Sequence, residues 1–364
     1  MPLACLAGDT ATFGRTDYKA GGAPGPIISR DFNLDGFLDV AALCGNNPRV
    51  LYGQDAGVFS KPKGYPGGAF ASNFGASDFN LDGRPDIAVL RMKGLNFLFG
   101  TTDGKFKRKV GPTIAYTFFG LATGDFNRDG IPDVAATQVA WEAHDHWSAR
   151  IRGYYVNVFA GLGDGTFTRT DRIKTGKYPA AIVTADLNSD GIPDFAVSTE
   201  ANGGTLTVLY GQVGGGYSAP VDFAAPASMQ MISADFNSDN LPDVALTNWK
   251  ANSLTVLYCQ LGGGFSAPET YTVQYPRALA AGYFNADGLN DIAVTRGLWG
   301  KYGPVTILYG QEPGGFAQAT DYPVGKTPLG IVAADYDGDT RLDISVSNKT
   351  SRTVSVLLNT GNGP

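Results

Sequence analysis

Short runs in which apolar and polar residues alternate recur from end to end of the chain. Leu254-Thr-Val-Leu-Tyr258 shows the pattern, the two-residue period of a half-buried strand. Around such runs the order of segments repeats. A stretch of small apolar residues comes first, as in Pro179-Ala-Ala-Ile-Val-Thr-Ala185 or Leu329-Gly-Ile-Val-Ala-Ala334. An acidic segment follows, then a second apolar run such as Asp243-Val-Ala-Leu-Thr247, then the alternating run. A glycine turn, Gly262-Gly-Gly264, leads into a fourth extended piece beginning Phe265-Ser-Ala-Pro268. No segment sustains apolar residues at the 3.6-residue spacing of a helix. The 49 glycines and 21 prolines fit many tight turns instead.

The acidic segment fixes the period. It reads Asp-x-Asn-x-Asp-Gly-x-x-Asp and starts at residues 31, 78, 125, 186, 235, 283 and 335, the last two copies being looser. The steps are 47, 47, 61, 49, 48 and 52 residues, each long enough for four short strands. Seven such units predict an all-β fold, a seven-bladed β-propeller of four-stranded antiparallel blades, as a single unit over residues 1–364. The small residues of each first strand suit a crowded position round a central axis. The last unit ends after its third strand, Thr353-Val-Ser-Val-Leu-Leu358, and Thr12-Phe-Gly-Arg-Thr-Asp-Tyr18 matches its missing fourth. An N-terminal strand in the last blade would close the ring and remove two exposed sheet edges. Residues 1–9 are surplus to this scheme.

Oxygen-bearing side chains at alternate positions of a short loop can wrap calcium, a hard cation that takes six to eight oxygens. Positions 1, 3, 5 and 9 supply side chains, position 7 a backbone carbonyl, and glycine at position 6 the positive φ of a tight turn. The candidate ligands are Asp31, Asn33, Asp35, Phe37 and Asp39; Asp78, Asn80, Asp82, Arg84 and Asp86; and Asp125, Asn127, Asp129, Ile131 and Asp133. They continue with Asp186, Asn188, Asp190, Ile192 and Asp194; Asp235, Asn237, Asp239, Leu241 and Asp243; and Asp335, Asp337, Asp339, Arg341 and Asp343. Asx turns alone would also favour Asp, Asn and Gly. Three carboxylates converging in each of five loops would nevertheless repel without a cation. Tyr283 takes the first aspartate's place in blade six and weakens that site, and Thr340 takes the glycine's place in blade seven. The expectation is six to seven calcium ions. These units resemble FG-GAP/VCBS repeats, the kind that form the integrin α-subunit propeller. The resemblance covers essentially the whole chain; it implies the same fold and metal and is nearly silent on ligand.

Charge changes the picture of the remaining surface. The formal charge is −6, yet the seven loops hold 21 of the 34 acids: three in each of the first five, two in the sixth and four in the seventh. Elsewhere 25 lysines and arginines face only 13 acids. In a four-stranded meander the 2–3 and 4–1 loops share the face opposite the aspartate loops. All four tryptophans, Trp141, Trp147, Trp249 and Trp299, are expected in 2–3 loops on that face, with His144 and His146 in the long step of blade three. Tyr65, Tyr116, Tyr178, Tyr275, Tyr302, Arg277, Arg296, Lys301 and Lys326 join them there. Aromatics beside cations suit stacking on sugars and pairing with carboxylate or sulfate, and suit a protein partner equally. The expected function is a calcium-stabilised extracellular recognition module that binds a glycan, acidic ones included, or a protein. The alternative is a lyase acting on an acidic polysaccharide at the same face, with His144 or His146 as base. Nucleic-acid binding has the basic face in its favour and no motif.

No run of about 18 apolar residues exists to span a membrane. Met1-Pro-Leu-Ala-Cys-Leu-Ala lacks the basic start and the length of a secretory signal. Calcium loops of this kind fill at the levels found outside cells. A secreted or cell-surface location with the signal already trimmed is therefore the expectation. Cys5, Cys44 and Cys259 fit neither a disulfide framework nor a zinc pattern and read as small buried side chains.

Overall fold

Seven four-stranded antiparallel sheets follow one another along the chain in the computed structural model, which describes residues 10–114, 117–145, 148–199, 203–317 and 320–362. Blade five shows the regular unit: Met231–Ala234, Asp243–Asn248, Ser253–Leu257 and Glu269–Thr272, each strand paired with the next. Blade one departs from it, because its fourth strand is only Lys63–Gly64 and a two-stranded ribbon, Gly53–Gln54 with Val58–Phe59, precedes it. Blade three departs in the other direction. Its second and third strands run over Asp133–Asp145 and Ser148–Gly161, so the extra residues of the 61-residue step lengthen a hairpin. Trp141 and His144 therefore lie on a strand, where a loop was expected, with Trp141 opposite Ile151. Alternation continues through this insertion, which is why the ladder extends.

The ring closes as the N-terminal run predicts. Ala11–Lys19 pairs antiparallel with Thr353–Asn362, with Thr16 opposite Val356, and completes the sheet of Pro328–Ala334 and Asp343–Asn348. Residues 1–9, Cys5 included, lie outside the described residues. Cys44 and Cys259 are free and buried.

The apolar interior is divided among the wedges between blades. Among the described residues seven clusters appear, one at each junction; the one between blades two and three joins Phe79, Leu95 and Phe97 to Val134 and Phe159. The second residue of every aspartate loop plugs such a wedge: Phe32, Phe79, Phe126, Leu187, Phe236, Phe284 and Tyr336 are all buried. Nearer the axis the blades touch backbone to backbone. A Cβ on Gly330 would lie 2.8 Å from the Gly25 carbonyl oxygen, so only glycine allows blades seven and one to approach this closely. A hydroxyl clasps each of these later junctions. Thr247 donates to the Arg277 carbonyl (3.1 Å), Thr295 to Leu329 (3.3 Å) and Ser347 to Gly25 (2.5 Å), while Ser198 donates to Ser228.

Candidate ligand face and aspartate loops

The loops divide between two faces, and hydrogen bonds show the division. On one face each glycine hairpin leans on the preceding blade's aspartate-loop end: Tyr52 Oη donates to Gly104 O (2.7 Å), and Gly264 N and Gly315 N donate to Tyr210 and Tyr258 Oη (3.2 and 2.9 Å). On the other face 2–3 and 4–1 loops interlace. Thr327 N donates to Lys301 O (2.8 Å) and Lys349 N to Thr327 O (3.0 Å), which stitches blades six and seven together.

In the regular aspartate loop the first carboxylate accepts the N–H groups of positions 5 and 6, as Asp31 does from Asp35 (3.2 Å) and Gly36 (2.9 Å). The fifth accepts the N–H of position 7, which in the six candidate loops is Phe37, Arg84, Ile131, Ile192, Leu241 or Arg341. The amide of position 3 donates to the position-5 carboxylate, at 2.8–3.1 Å for Asn33, Asn80, Asn127, Asn188 and Asn237. These loops are thus internally braced, and the neutral amide separates carboxylates that would otherwise meet. Two of the positions are left-handed, not one. Leu34, Leu81, Arg128, Ser189 and Ser238 at position 4 have φ between +55° and +64°, alongside the position-6 residues. The sequence motif signals the second of these through its glycine and gives no sign of the first.

The ninth aspartate has a role the motif does not announce. Asp39, Asp86, Asp133, Asp194, Asp243, Asp291 and Asp343 are all buried in strand ends, and each carboxylate bridges two backbone N–H groups. Asp243 accepts from Phe236 N and from Cys259 N, both at 2.8 Å, and so ties the loop to the end of the third strand. Burial pushes Asp39, Asp86, Asp243 and Asp291 up to about 7, against the opposing pull of those two hydrogen bonds. Blade six keeps this bridge, but Tyr283, exposed at position 1, offers no carboxylate, and the Asp287 N–H is left to Asn285 Oδ1 alone (3.5 Å).

Blade seven is arranged differently. Aspartate replaces asparagine at position 3, and Asp335, Asp337 and Asp343 bring carboxylate oxygens within 4.8 Å of one another. Among the described residues this is the one cluster of three acidic, histidine or cysteine side chains so close. Glycine has moved to position 4 (Gly338, φ +77°), and Thr340 is held at φ +74°. Asp339 keeps the Arg341 N–H (2.9 Å) and also makes an ion pair with the Arg341 guanidinium. With no amide donor between them, the three carboxylates form an oxygen-rich pocket that can hold a divalent cation.

The opposite face carries the exposed rings. Trp249 (47% exposed) stands on a turn whose Asn248 Oδ1 accepts the N–H groups of Lys250 and Ala251 (3.0 and 2.9 Å). The Arg277 guanidinium lies 5.6 Å from its ring and Lys250 Nζ 6.0 Å, and Arg277 is steadied by the Gly297 carbonyl (3.1 Å). In blade six Trp299 (70% exposed) has Lys349 Nζ at 4.9 Å, and Tyr302 (71% exposed) has Lys326 Nζ at 4.9 Å. A cleft of about 300 Å³ beside Trp249 is lined by Gly203, Ser228, Met229, Asn248 and Lys250. Tyr178 and Tyr275 are also exposed and sit at φ +52° and +53° immediately before prolines, a conformation that costs an L-residue about 1–2 kcal/mol. Tyr178 packs edge-on against Tyr154 of the long hairpin, centroids 5.0 Å apart.

Two expected members of this face are placed elsewhere. Tyr65 is buried between blades one and two, its hydroxyl bonded to that of Tyr52 (2.8 Å). Arg296 is neutralised by Asp321, with both carboxylate oxygens within 3.0 Å of Nη1. Tyr116, His146 and Trp147 lie outside the described residues.

Residues 31–89, 78–136 and 283–346 match a family model described as FG-GAP-like repeat. No curated protein matches the chain. Among solved structures it is similar to a streptogramin B lyase, with a TM-score of 0.58 and 16% identity over 95% of this chain and 98% of that one. It is also similar, at a TM-score of 0.49 and 18% identity over 86% and 80% of the two chains, to an Agrocybe aegerita lectin whose structure describes recognition of non-reducing terminal N-acetylglucosamine. At these identities the likeness is one of fold.

Proposed function

The chain carries FG-GAP-like repeats in a seven-bladed β-propeller, and on that premise we propose that it is a recognition module binding an acidic glycan on the face of its 2–3 and 4–1 loops. The observation that carries this reading is the set of three exposed rings, Trp249, Trp299 and Tyr302, each with a cation 4.9–6.0 Å from its centroid. An aromatic face stacks on the C–H face of a sugar ring, and a cation at its margin meets a carboxylate or sulfate on the same sugar. The strained tyrosines before prolines support the reading, because backbone strain persists where the surroundings hold a residue for use.

A cation enters this account in blade seven. Asp335, Asp337 and Asp343 would hold it, and calcium suits three carboxylates in a flexible, oxygen-only loop. Bound there, it would neutralise the triad. A calcium-dependent module of this kind belongs outside the cell, where the ion is abundant. Among the described residues no helix is long and apolar enough to cross a membrane.

A glycan array probed with the full chain tests the proposal. Uronic-acid or sulfated glycans should be retained, and Trp249→Ala with Trp299→Ala should weaken retention by about thirtyfold, the effect of removing central aromatic anchors. Retention of neutral glycans alone, or retention unchanged in the double variant, would sink it.

A further inference from the structure

Charge is distributed unevenly round the ring. Residues 61–177, spanning blades two and three, hold 16 of the 28 lysines and arginines, whereas residues 178–276, most of blades four and five, hold Lys250 alone against nine acids. Outside the aspartate loops, the basic sector has 14 cations and five acids, and residues 178–276 have one cation and three acids. Its cations concentrate on two outer strands, Phe106–Val110 and Phe167–Lys174.

Strand register shows where they point. Residues directly opposite in an antiparallel pair share a face. Lys107 and Lys109 lie opposite Phe99 and Phe97, and Phe97 stacks on Phe167 of blade three at 4.3 Å, so both lysines face blade three. Arg169, Arg172 and Lys174 lie opposite Phe159, Asn157 and Tyr155, and Phe159 packs in the wedge shared with blade two. Those three cations therefore face back. Thr170 and Asp171 point the other way, into the cleft against blade four. We infer that the rim groove between blades two and three, walled by Lys107 and Lys109 on one side and Arg169, Arg172 and Lys174 on the other, binds a linear polysaccharide bearing carboxylate or sulfate groups.

All five side chains are exposed, and none makes an ion pair among the described residues. Beside the blade-two wall lies a cleft of about 250 Å³ lined by Asn80, Phe99, Lys107, Arg108 and Lys109, with Asp164 of blade three its one acid. Arg172 is held in place, its guanidinium 3.8 Å from the Tyr155 ring and bonded to Gln138 Oε1 (3.3 Å). Lysine on an outer strand commonly guards a sheet edge against pairing. The outer strands of the other five blades carry none to two cations, against three on each of these two, so edge guarding does not account for the excess. Nucleic acid fits less well. The rings beside the groove are taken, Phe97 by Phe167, Phe99 by Phe97 and Lys109, and Tyr155 by Arg172, which leaves none of the three for stacking bases. This site is separate from the tryptophan face.

Binding of the full chain to dextran sulfate, polygalacturonate and neutral dextran provides the test, with single-stranded DNA alongside. At least one anionic polysaccharide should bind with salt-sensitive affinity; which one binds tells sulfate from carboxylate. Lys109→Glu and Arg169→Glu should each weaken it by about tenfold, the scale of one lost charged contact. Lys19→Glu, the same charge change on the outer strand of blade seven, should alter it by about twofold or less, since exposed charges beyond a Debye length are screened. In a Trp249→Ala/Trp299→Ala background, which removes the proposed face, a polymer should still bind and Lys109→Glu should still weaken it by about tenfold, so this site and the proposed face fail independently. The inference is overturned if neither polymer binds at low salt, if Lys19→Glu acts as strongly as Lys109→Glu, or if DNA binds more tightly than both polymers. It is equally overturned if sedimentation shows the groove closed by a second copy, as a salt-sensitive dimer lost in Lys109→Glu.

Discussion

Asp243 shows what one residue of the repeat does. Its two oxygens occupy Phe236 N and Cys259 N, both inside the protein. Asp243→Ala leaves both amides without partners, and about 2–6 kcal/mol of stability should be lost at roughly 1–3 kcal/mol per stranded group. Asp243→Asn, which keeps the shape and one acceptor oxygen, should fall between; urea unfolding measures both. Thr340 presents the opposite case. A β-branched residue at φ +74° is strained, and glycine there should raise stability by about 1 kcal/mol, visible as a higher Tm. At this scale the sequence was legible where chemistry repeats at fixed spacing. The aspartates, the position-6 glycines and Tyr283 all told their part. The left-handed position 4 was not legible, because Leu34, Arg128 and Ser238 share no property that marks it. Nor was the double bridge of the ninth aspartate, whose partner N–H groups come from residues as unlike as Gly53, Cys259 and Asn359.

At the scale of elements, the strand from Ala11 to Lys19 completes a sheet whose other strands lie more than three hundred residues later. Truncation to residue 20 should uncover the edge of Thr353–Asn362 and lower Tm, with aggregation seen by size-exclusion chromatography. Blade seven also carries the acidic triad proposed to hold a cation. Chelation should lower Tm and calcium restore it, and Asp337→Asn, which returns an amide donor to the loop as in the first five blades, should largely abolish that response. A Tm that ignores calcium in the unaltered chain would remove the metal from the account. Four-strand blades were readable because alternation and glycine turns are local signals. The hairpin of Asp133–Asp145 and Ser148–Gly161 was not, since its polar, tryptophan-bearing sequence from Trp141 to Asp145 looks like a loop until the ladder pairs it. The burial of Tyr65 was hidden for a related reason, its place being set by contacts with Tyr52 and Phe106.

For the molecule as a whole, the seven wedges and the hydroxyl clasps make stability a property of the closed ring, and the buried aspartates give it a pH dependence. Folding raises Asp39, Asp86, Asp243 and Asp291 to about 7, above the roughly 4 of an unfolded aspartate. Between those values the folded chain holds protons that the unfolded chain has released. Stability in chelator should therefore fall as pH rises from about 4 to about 7 and level off above it, the reverse of an ion-paired carboxylate. Thermal unfolding across that range checks the sign. The two faces divide the work. Aspartate loops and hairpins lock neighbouring blades on one side, and the interlaced 2–3 and 4–1 loops of the other hold Trp249, Trp299 and Tyr302 outward beside their cations. The most direct measurement of that claim is tryptophan fluorescence of the full chain titrated with a uronic-acid or sulfated oligosaccharide. The account predicts a saturable change that disappears in Trp249→Ala/Trp299→Ala; binding of such a sugar, seen independently, with tryptophan emission unmoved would contradict it.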